Sequence, residues 1–404
     1  MKKVQIFQDV LNKLLEHREY EKSEVCPHYL YCGGCSMLHV SYDHQIKIKE
    51  EGILNLFKRE GLEDINYEGI IPSPEVYEYR NKMEYSFGDF EKDGPLTVGL
   101  HVKKKRFSIV TTDKCKLVQG DFLKILSHAE NYFNRIKVPT YKIMKREGVL
   151  RNLILRFGKY TGEMMVNLVT TSKIEFKPED WCQELLSLDL KENLSSVLHT
   201  KNNSLSEAVI PEEIKVLHGN DHIYDMILGL EFKISPFSFF QTNTKATEML
   251  YTVVSDFLGE EKGVVFDLYC GTGTIAQVIS KHASFVYGIE IVDEAVNSAR
   301  ENAKLNGINN CIFLSGDVER VISSLNIKPN CIILDPPRPG VGKKALKKII
   351  DFNADRVIYV SCNAKTLVDD LAMLIDDGYR INKTKLVDLF PNTYHCECVM
   401  ELIK

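Results

Sequence analysis

Ser361-Cys362-Asn363 closes the apolar run Val357-Ile358-Tyr359-Val360, and Glu397 follows in His395-Cys396-Glu397. A thiol at the carboxyl end of a strand can serve as a nucleophile, and a carboxylate brought beside it can accept a proton. Alone, Cys362 reads as a strand cysteine and Glu397 as a surface carboxylate. The glycine loop upstream, Asp267-Leu268-Tyr269-Cys270-Gly271-Thr272-Gly273-Thr274, changes that reading. It follows the apolar run Val264-Val265-Phe266 and opens a helix, so Gly271 and Gly273 let a ligand approach the backbone without a Cβ clash. Glu290 ends the next strand, 19 residues beyond Gly271, where a carboxylate accepts ribose hydroxyls. A dinucleotide fingerprint needs a third glycine, and Ala276 stands in its place. The loop therefore suits a nucleoside without pyrophosphate, with S-adenosylmethionine the foremost candidate.

Asp335-Pro336-Pro337-Arg338 ends a third strand. Methyltransferases of exocyclic amino groups often place an aromatic after the two prolines, to stack on the base. Arg338 there turns attention from nitrogen to carbon. Eleven cysteines are present, of which Cys26, Cys32 and Cys35 lie close in sequence and Cys115 is a distant fourth. Four thiolates hold either Zn²⁺ or a [4Fe–4S] cluster, and spacing does not decide between them. Cys182, Cys270, Cys311, Cys331, Cys396 and Cys398 read as packing residues.

These groups need a scaffold. After Pro236 a βαβ rhythm runs almost to the end, with strands at 264–266, 286–289, 312–314, 332–334 and 357–360. A helix capped by Asp293 and stopped by Gly307 lies between the second and third. The fold class is α/β: a doubly wound, mostly parallel sheet, closed by an antiparallel hairpin of 385–389 and 399–403 around Pro391-Asn392. Residues 70–235 read as α+β with mostly antiparallel strands, including Phe107–Val110, Leu153–Phe157 and Met164–Val169. The expected domains are 1–235 and 236–404. A short helix is expected in the first 25 residues. Another, capped by Asp43 and running to Arg59 before Gly61, is able to pack on the catalytic domain.

A length of 404 residues fits two or three domains. No apolar run approaches the roughly 20 residues that cross a bilayer, and the amino terminus lacks a secretory h-region. The expectation is a cytoplasmic, monomeric protein with no membrane partner and reduced thiols. From His101 to Tyr160, 15 Lys and Arg face four Asp and Glu, a surplus of +11 in a chain of net charge −5. Lys103-Lys104-Lys105-Arg106, Lys142, Lys145, Arg146, Arg151 and Arg156 suggest a basic surface and a polyanion partner.

The combination resembles the S-adenosylmethionine-dependent RNA uracil-C5 methyltransferases. The residues that carry this are Cys26-x5-Cys32-x2-Cys35 with Cys115, Tyr79-Arg80-Asn81-Lys82-Met83-Glu84, Phe240-Gln241-Thr242-Asn243, the glycine loop, Asp335-Pro336-Pro337-Arg338, Ser361-Cys362-Asn363 and Glu397. The resemblance implies a doubly wound catalytic domain, a small RNA-contacting domain and a [4Fe–4S] cluster on Cys26, Cys32, Cys35 and Cys115. It implies Cys362 as nucleophile on uracil C6 and Glu397 as base, with Gln241, Tyr269, Glu290, Asp317 and Asp335 at the cofactor. Arg80, Asn81 and Lys82 would hydrogen-bond RNA. The expected RNA is 23S rRNA, with the tRNA T-loop as first alternative and a non-catalytic RNA-binding protein of the same fold as second. Only 25 residues precede Cys26, so the β-barrel module of some relatives is not expected. Thr274 stands where some relatives carry Asn, and Ala364 where a proline is common.

Overall fold

The computed structural model describes residue 9 and residues 26–63, 65–261, 263–318, 320–321, 325 and 327–404. The helix expected over the first 25 residues lies, but for residue 9, outside them. Helix α1 (Tyr42–Arg59) is followed by strand β1 (Tyr67–Ile71). The residue before α1 is Ser41, and Asp43 lies inside its first turn, where a carboxylate still complements the helix dipole. Gly61 follows the helix at φ +81.

A seven-stranded sheet comes next. Its strands are β2 (Lys82–Asp89), β3 (Leu96–Val102), β4 (Lys105–Thr111), β5 (Leu150–Phe157), β6 (Glu163–Thr170), β7 (Asn193–Lys201) and β8 (Glu213–Gly219), in the order β3-β4-β2-β5-β6-β7-β8. Pairing is mostly antiparallel, as the short alternating segments predict, but β6 and β7 run parallel. Period-two alternation puts Met83, Tyr85 and Phe87 of β2 into a core with α2 (Gly120–Ile136) and α3 (Pro178–Leu186). Hairpin β9 (Ile223–Ile227) and β10 (Leu230–Ile234) leads to α4 (Thr244–Leu258).

The second large sheet adds β11 (Val264–Leu268), β12 (Phe285–Glu290), β13 (Cys311–Ser315), β14 (Cys331–Leu334), β15 (Arg356–Ser361), β16 (Arg380–Val387) and β17 (Glu397–Ile403). Between them run α5 (Thr274–Ile279), α6 (Asp293–Leu305), α7 (Lys343–Asp351) and α8 (Ala364–Asp376). The strand order is β1-β16-β17-β15-β14-β11-β12-β13, with β17 antiparallel to both of its neighbours. Order reverses between β11 and β14, which opens a ligand crevice at their carboxyl ends. The residue before α6 is Val292, one position before the expected cap. Val265, Ile333 and Ile358 face α4 and the β9–β10 hairpin, while Phe266, Ile332 and Val357 face α1 and α8. Thus α1 packs on the catalytic core, and β1 extends its sheet through a parallel pairing with β16. No helix among the described residues is long and apolar enough to cross a membrane.

Candidate active site

The parallel strands bring their carboxyl ends to one level. Leu268 pairs with both Ile289 and Leu334, and Leu334 pairs with Tyr359. Tyr269, Glu290 and Asp335 each stand one residue beyond those pairs, and Cys362 stands two residues past Val360 on the next strand. In the antiparallel ladder Ser361 faces Cys398. That last pair adjoins Cys362 on one strand and Glu397 on the other, and Glu397 itself pairs with Val387 of β16. Cys362 is half-buried, in the turn between β15 and α8, and Glu397 is buried at the start of β17. None of the eleven cysteines forms a disulfide.

The Cys362 turn is tied to its surroundings. Asn363 donates its Nδ2 proton to the Arg338 carbonyl at 3.0 Å and its amide proton to Ser361 Oγ at 3.1 Å. Ala364 is the first residue of α8, the position that favours proline. The glycine loop is held by Tyr269 and Cys270 amides donating to the Ile289 carbonyl. Tyr269 takes a left-handed φ of +66 and Gly273 one of +74. A Cβ on Gly273 would meet Phe313 at 2.6 Å, so this glycine lets α5 pack on β13. Glu290 Oε2 accepts from the Gly271 amide at 3.1 Å, and Oε1 from the Val292 amide at 3.0 Å. That fixes the carboxylate at the strand end. Thr272 reaches back to the Phe239 carbonyl at 3.3 Å, which brings the 236–243 segment beside the loop. Gln241 is half-buried there, and Asp317 is exposed beyond β13.

The site is acidic and partly dehydrated. Burial pushes the Asp335 carboxyl up to about 7. Burial and then the nearby Asp335 charge push Asp267 well above the usual carboxylate range. Tyr251 of α4 is raised by burial and then by the charges of Asp335, Asp267 and Glu397. Its hydroxyl pairs with Thr274 Oγ1 at 2.9 Å. Asp267 Oδ1, Thr242 Oγ1 and Asn363 Oδ1 are buried polar atoms without a hydrogen-bond partner. Orphaned acceptors beside carboxylates that resist ionisation fit a cationic ligand carrying hydrogen-bond donors. Tyr251 escaped the motif reading, and Asp267 and Asn363, though inside the motifs, carried no expected role. Only their nearness to the glycine loop and to Cys362 could have signalled them.

Cys26, Cys32, Cys35 and Cys115 line one small cavity, so the distant fourth cysteine joins the three. Burial pushes Cys35 up to about 12 and Cys115 to about 11, and the neighbouring thiols add to both. The Gly34 amide donates to Cys32 Sγ at 3.3 Å. Among the described residues no group of three or more His, Cys, Asp or Glu is arranged around a single metal ion. Zinc at about 2.3 Å from each sulfur needs closely gathered thiolates, whereas a cluster binds each thiolate to a different iron and tolerates a wider ring.

The basic stretch disperses on folding. Arg151 is buried and donates to the Asn202, Ser204 and Ser206 carbonyls. Arg156 is buried against the Pro236 and Ser238 carbonyls. Lys103 donates to the Tyr29 carbonyl at 2.7 Å, bracing the cysteine loop, and Lys142 pairs with Asp93 at 2.6 Å. Lys104, Lys105, Arg106, Lys145 and Arg146 stay exposed. Asn81 is an internal tether. Its Nδ2 donates to the Gln241 carbonyl and to Thr244 Oγ1, both at 2.9 Å, joining the outer sheet to α4. Lys82 is lowered to about 8 by burial and then by Arg156. Arg80 lines a cleft of about 550 Å³ with Glu84, Arg338, Phe390, Tyr394 and His395.

A family model described as tRNA (Uracil-5-)-methyltransferase matches residues 123–404. An uncharacterized RNA methyltransferase of Clostridium tetani is 49% identical over 96% of this chain and 86% of its own length. Another, of Clostridium acetobutylicum, is 50% identical over 93% of this chain and 83% of its own. Among solved structures, the Pyrococcus abyssi tRNA (uracil-54, C5)-methyltransferase in complex with S-adenosyl-L-homocysteine superposes with a TM-score of 0.74. It is 28% identical and the match covers 92% of this chain and 86% of that one. With a family model matched over more than half its length and relatives about half identical over nearly all of it, the chain belongs to the tRNA (uracil-5-)-methyltransferase family of enzymes.

Proposed function

We propose that the chain transfers a methyl group from S-adenosylmethionine to C5 of a uridine in structured cytoplasmic RNA, acting as a monomer, with 23S rRNA as target. The observation that supports this is the β15–β17 register, whose last pair, Ser361 and Cys398, adjoins Cys362 and Glu397. Uracil C5 is a poor nucleophile. The Cys362 thiolate adds to C6, forming a C–S bond and shifting the ring's C5=C6 electrons into an enolate with density on C5. When bound, S-adenosylmethionine supplies the electrophilic methyl that C5 accepts. Glu397 then takes the C5 proton, the C5=C6 bond reforms, and the sulfur leaves with its electron pair. The uridine must first leave its stack to reach a strand-end pocket. Arg80, beside Arg338 in the cleft, suits the RNA backbone, as do the exposed lysines of the outer sheet.

For the cofactor, Glu290 suits the ribose, Tyr269 an aromatic contact and Asp317 the adenine edge. Gln241 and Asp335 suit the methionine end. A cation favours ionised Asp335, whose carboxyl holds its proton up to about pH 7. Affinity is therefore full above that pH and falls about tenfold per unit below it. Calorimetric titration from pH 5.5 to 8 checks this, and a flat profile would remove Asp335 from the cofactor. The unfolded carboxyl loses its proton near the ordinary 3.8, so the folded state is penalised as pH rises from there through 7. Asp335→Asn is accordingly expected to raise the melting temperature of the ligand-free protein at pH 8 while weakening cofactor binding.

The four cysteines suit a [4Fe–4S] cluster, and a chain purified without air should carry about four irons and as many sulfides. Zinc without sulfide would contradict that assignment. A second RNA target, the tRNA T-loop, is favoured by the Pyrococcus neighbour, whose name specifies uracil-54 of tRNA. Mapping 5-methyluridine across total RNA with and without the gene tests the function. Loss from 23S rRNA supports the first target, loss from tRNA the second, and an unchanged map refutes both.

A further inference from the structure

The segment from Asp388 to Cys396 leads directly into Glu397, and it has almost no regular structure of its own. Its shape is imposed by groups far away in sequence, most of them acting on Asn392. The Ser36 and Met37 amides donate to the Asn392 carbonyl at 2.9 and 3.0 Å, immediately after Cys35. Gln45 of α1 holds the same residue from the other side. Its Oε1 accepts from the Asn392 amide at 2.7 Å, and its Nε2 donates to Asn392 Oδ1 at 3.1 Å. The same Nε2 donates to the Met37 and Val40 carbonyls at 3.1 and 2.8 Å. Gln45 and Asn392 are each 1% exposed. Asn392 takes a left-handed φ of +66, a conformation Asn tolerates better than most residues, and its Nδ2 donates to the Val76 carbonyl at 3.1 Å.

A buried amide whose two ends both reach Asn392 has no task on the surface. We propose that Gln45, through Asn392, is a positioning residue that clamps the Glu397 segment to the cysteine loop and so sets where the base stands. Cys362 does not depend on this clamp, since β15 and the Asn363–Arg338 bond hold it. Loosening the clamp therefore spares addition of the thiolate and methyl transfer, and slows only proton removal. This rests on the reading of Glu397 as the base.

Gln45→Met is nearly isosteric and deletes all four hydrogen bonds. Asn392→Gly keeps the left-handed backbone and deletes only the side-chain bonds. With ordinary uridine RNA and S-adenosylmethionine, each variant is expected to lower kcat by about 10²-fold, the cost of a base misplaced by about 1 Å, with KM for RNA changed less than about threefold. Methylated enzyme–RNA adduct, seen as a band stable to detergent, should accumulate. Gln45→Glu keeps the acceptor for the Asn392 amide and is expected to fall between wild type and Gln45→Met. Glu397→Gln run in parallel separates the two ideas. If Glu397→Gln piles up adduct and the folded Gln45→Met and Asn392→Gly proteins do not, the clamp is wrong while the base stands. If Glu397→Gln itself piles up none, the base is wrong. Adduct and turnover lost together in both clamp variants, with lowered melting temperatures, would make Gln45 merely structural and overturn the proposal.

Discussion

Cys362→Ala is expected to lower kcat/KM for RNA methylation by about 10⁴-fold or more, while S-adenosylmethionine binds with unchanged affinity. Without the sulfur, C5 keeps the weak nucleophilicity of a uracil ring edge, and the well-formed cofactor crevice cannot compensate. Tyr269, Glu290 and Asp335, proposed to hold the cofactor, lie at the carboxyl ends of β11, β12 and β14, whereas Cys362 is carried by the turn after β15, so binding and chemistry are expected to be separable. Single-turnover methyl transfer and calorimetry on the same preparation check both halves. Retained methylation would mean the chemistry does not pass through this thiol. Loss of cofactor affinity along with activity would mean that the turn, and not only the sulfur, had been damaged.

The second large effect is on stability. Lys49 and Asp388 form an ion pair at 2.6 Å with both side chains fully buried, and Lys49 also donates to the Phe390 carbonyl at 3.0 Å. Asp388 accepts further from Tyr42 Oη and from the Phe390 amide, both at 3.0 Å. Lys49→Met leaves that carboxylate buried without its cation, which costs about 3–5 kcal/mol. The two remaining donors bring the expectation to the lower end, a fall in melting temperature of roughly 5–10 °C. Lys49→Met/Asp388→Asn restores neutrality and keeps the acceptor for Tyr42 and Phe390, so it should regain most of the loss. Thermal unfolding followed by circular dichroism decides. Equal melting temperatures for wild type and Lys49→Met would show that the charge finds water or another partner.

The parallel strands were legible because buried sheets read as short β-branched runs, and Val264–Phe266, Ile332–Leu334 and Val357–Val360 are such runs. The candidate site was legible where its residues stand at those strand ends. What escaped depends on pairings far apart in sequence. Strand β1 joins the sheet through β16, which lies more than 300 residues later, and nothing local in Tyr67–Ile71 announces that partner. Gln45, Lys49 and Asp388 are of types that usually lie at the surface, yet all three are buried because they satisfy one another or the backbone around Asn392. The reverse error befell the basic stretch. Arg151 and Arg156 count as positive surface in a sequence but spend their donors on internal carbonyls. Asn81, read beside Arg80 and Lys82 as an RNA contact, holds Gln241 and Thr244 instead. Charge and polarity along a chain reveal composition; only the packed structure reveals which polar groups are consumed within the protein.

Fluorine at C5 of uridine cannot be removed as a proton, so RNA carrying 5-fluorouridine should stall after methyl transfer with the enzyme still attached. Digestion of that complex and mass measurement of the peptides is the most direct test. The account predicts one nucleotide, bearing the transferred methyl, on the peptide containing Cys362, and only when S-adenosylmethionine is supplied. An adduct on another cysteine, or methylated RNA released with no adduct at all, would contradict it.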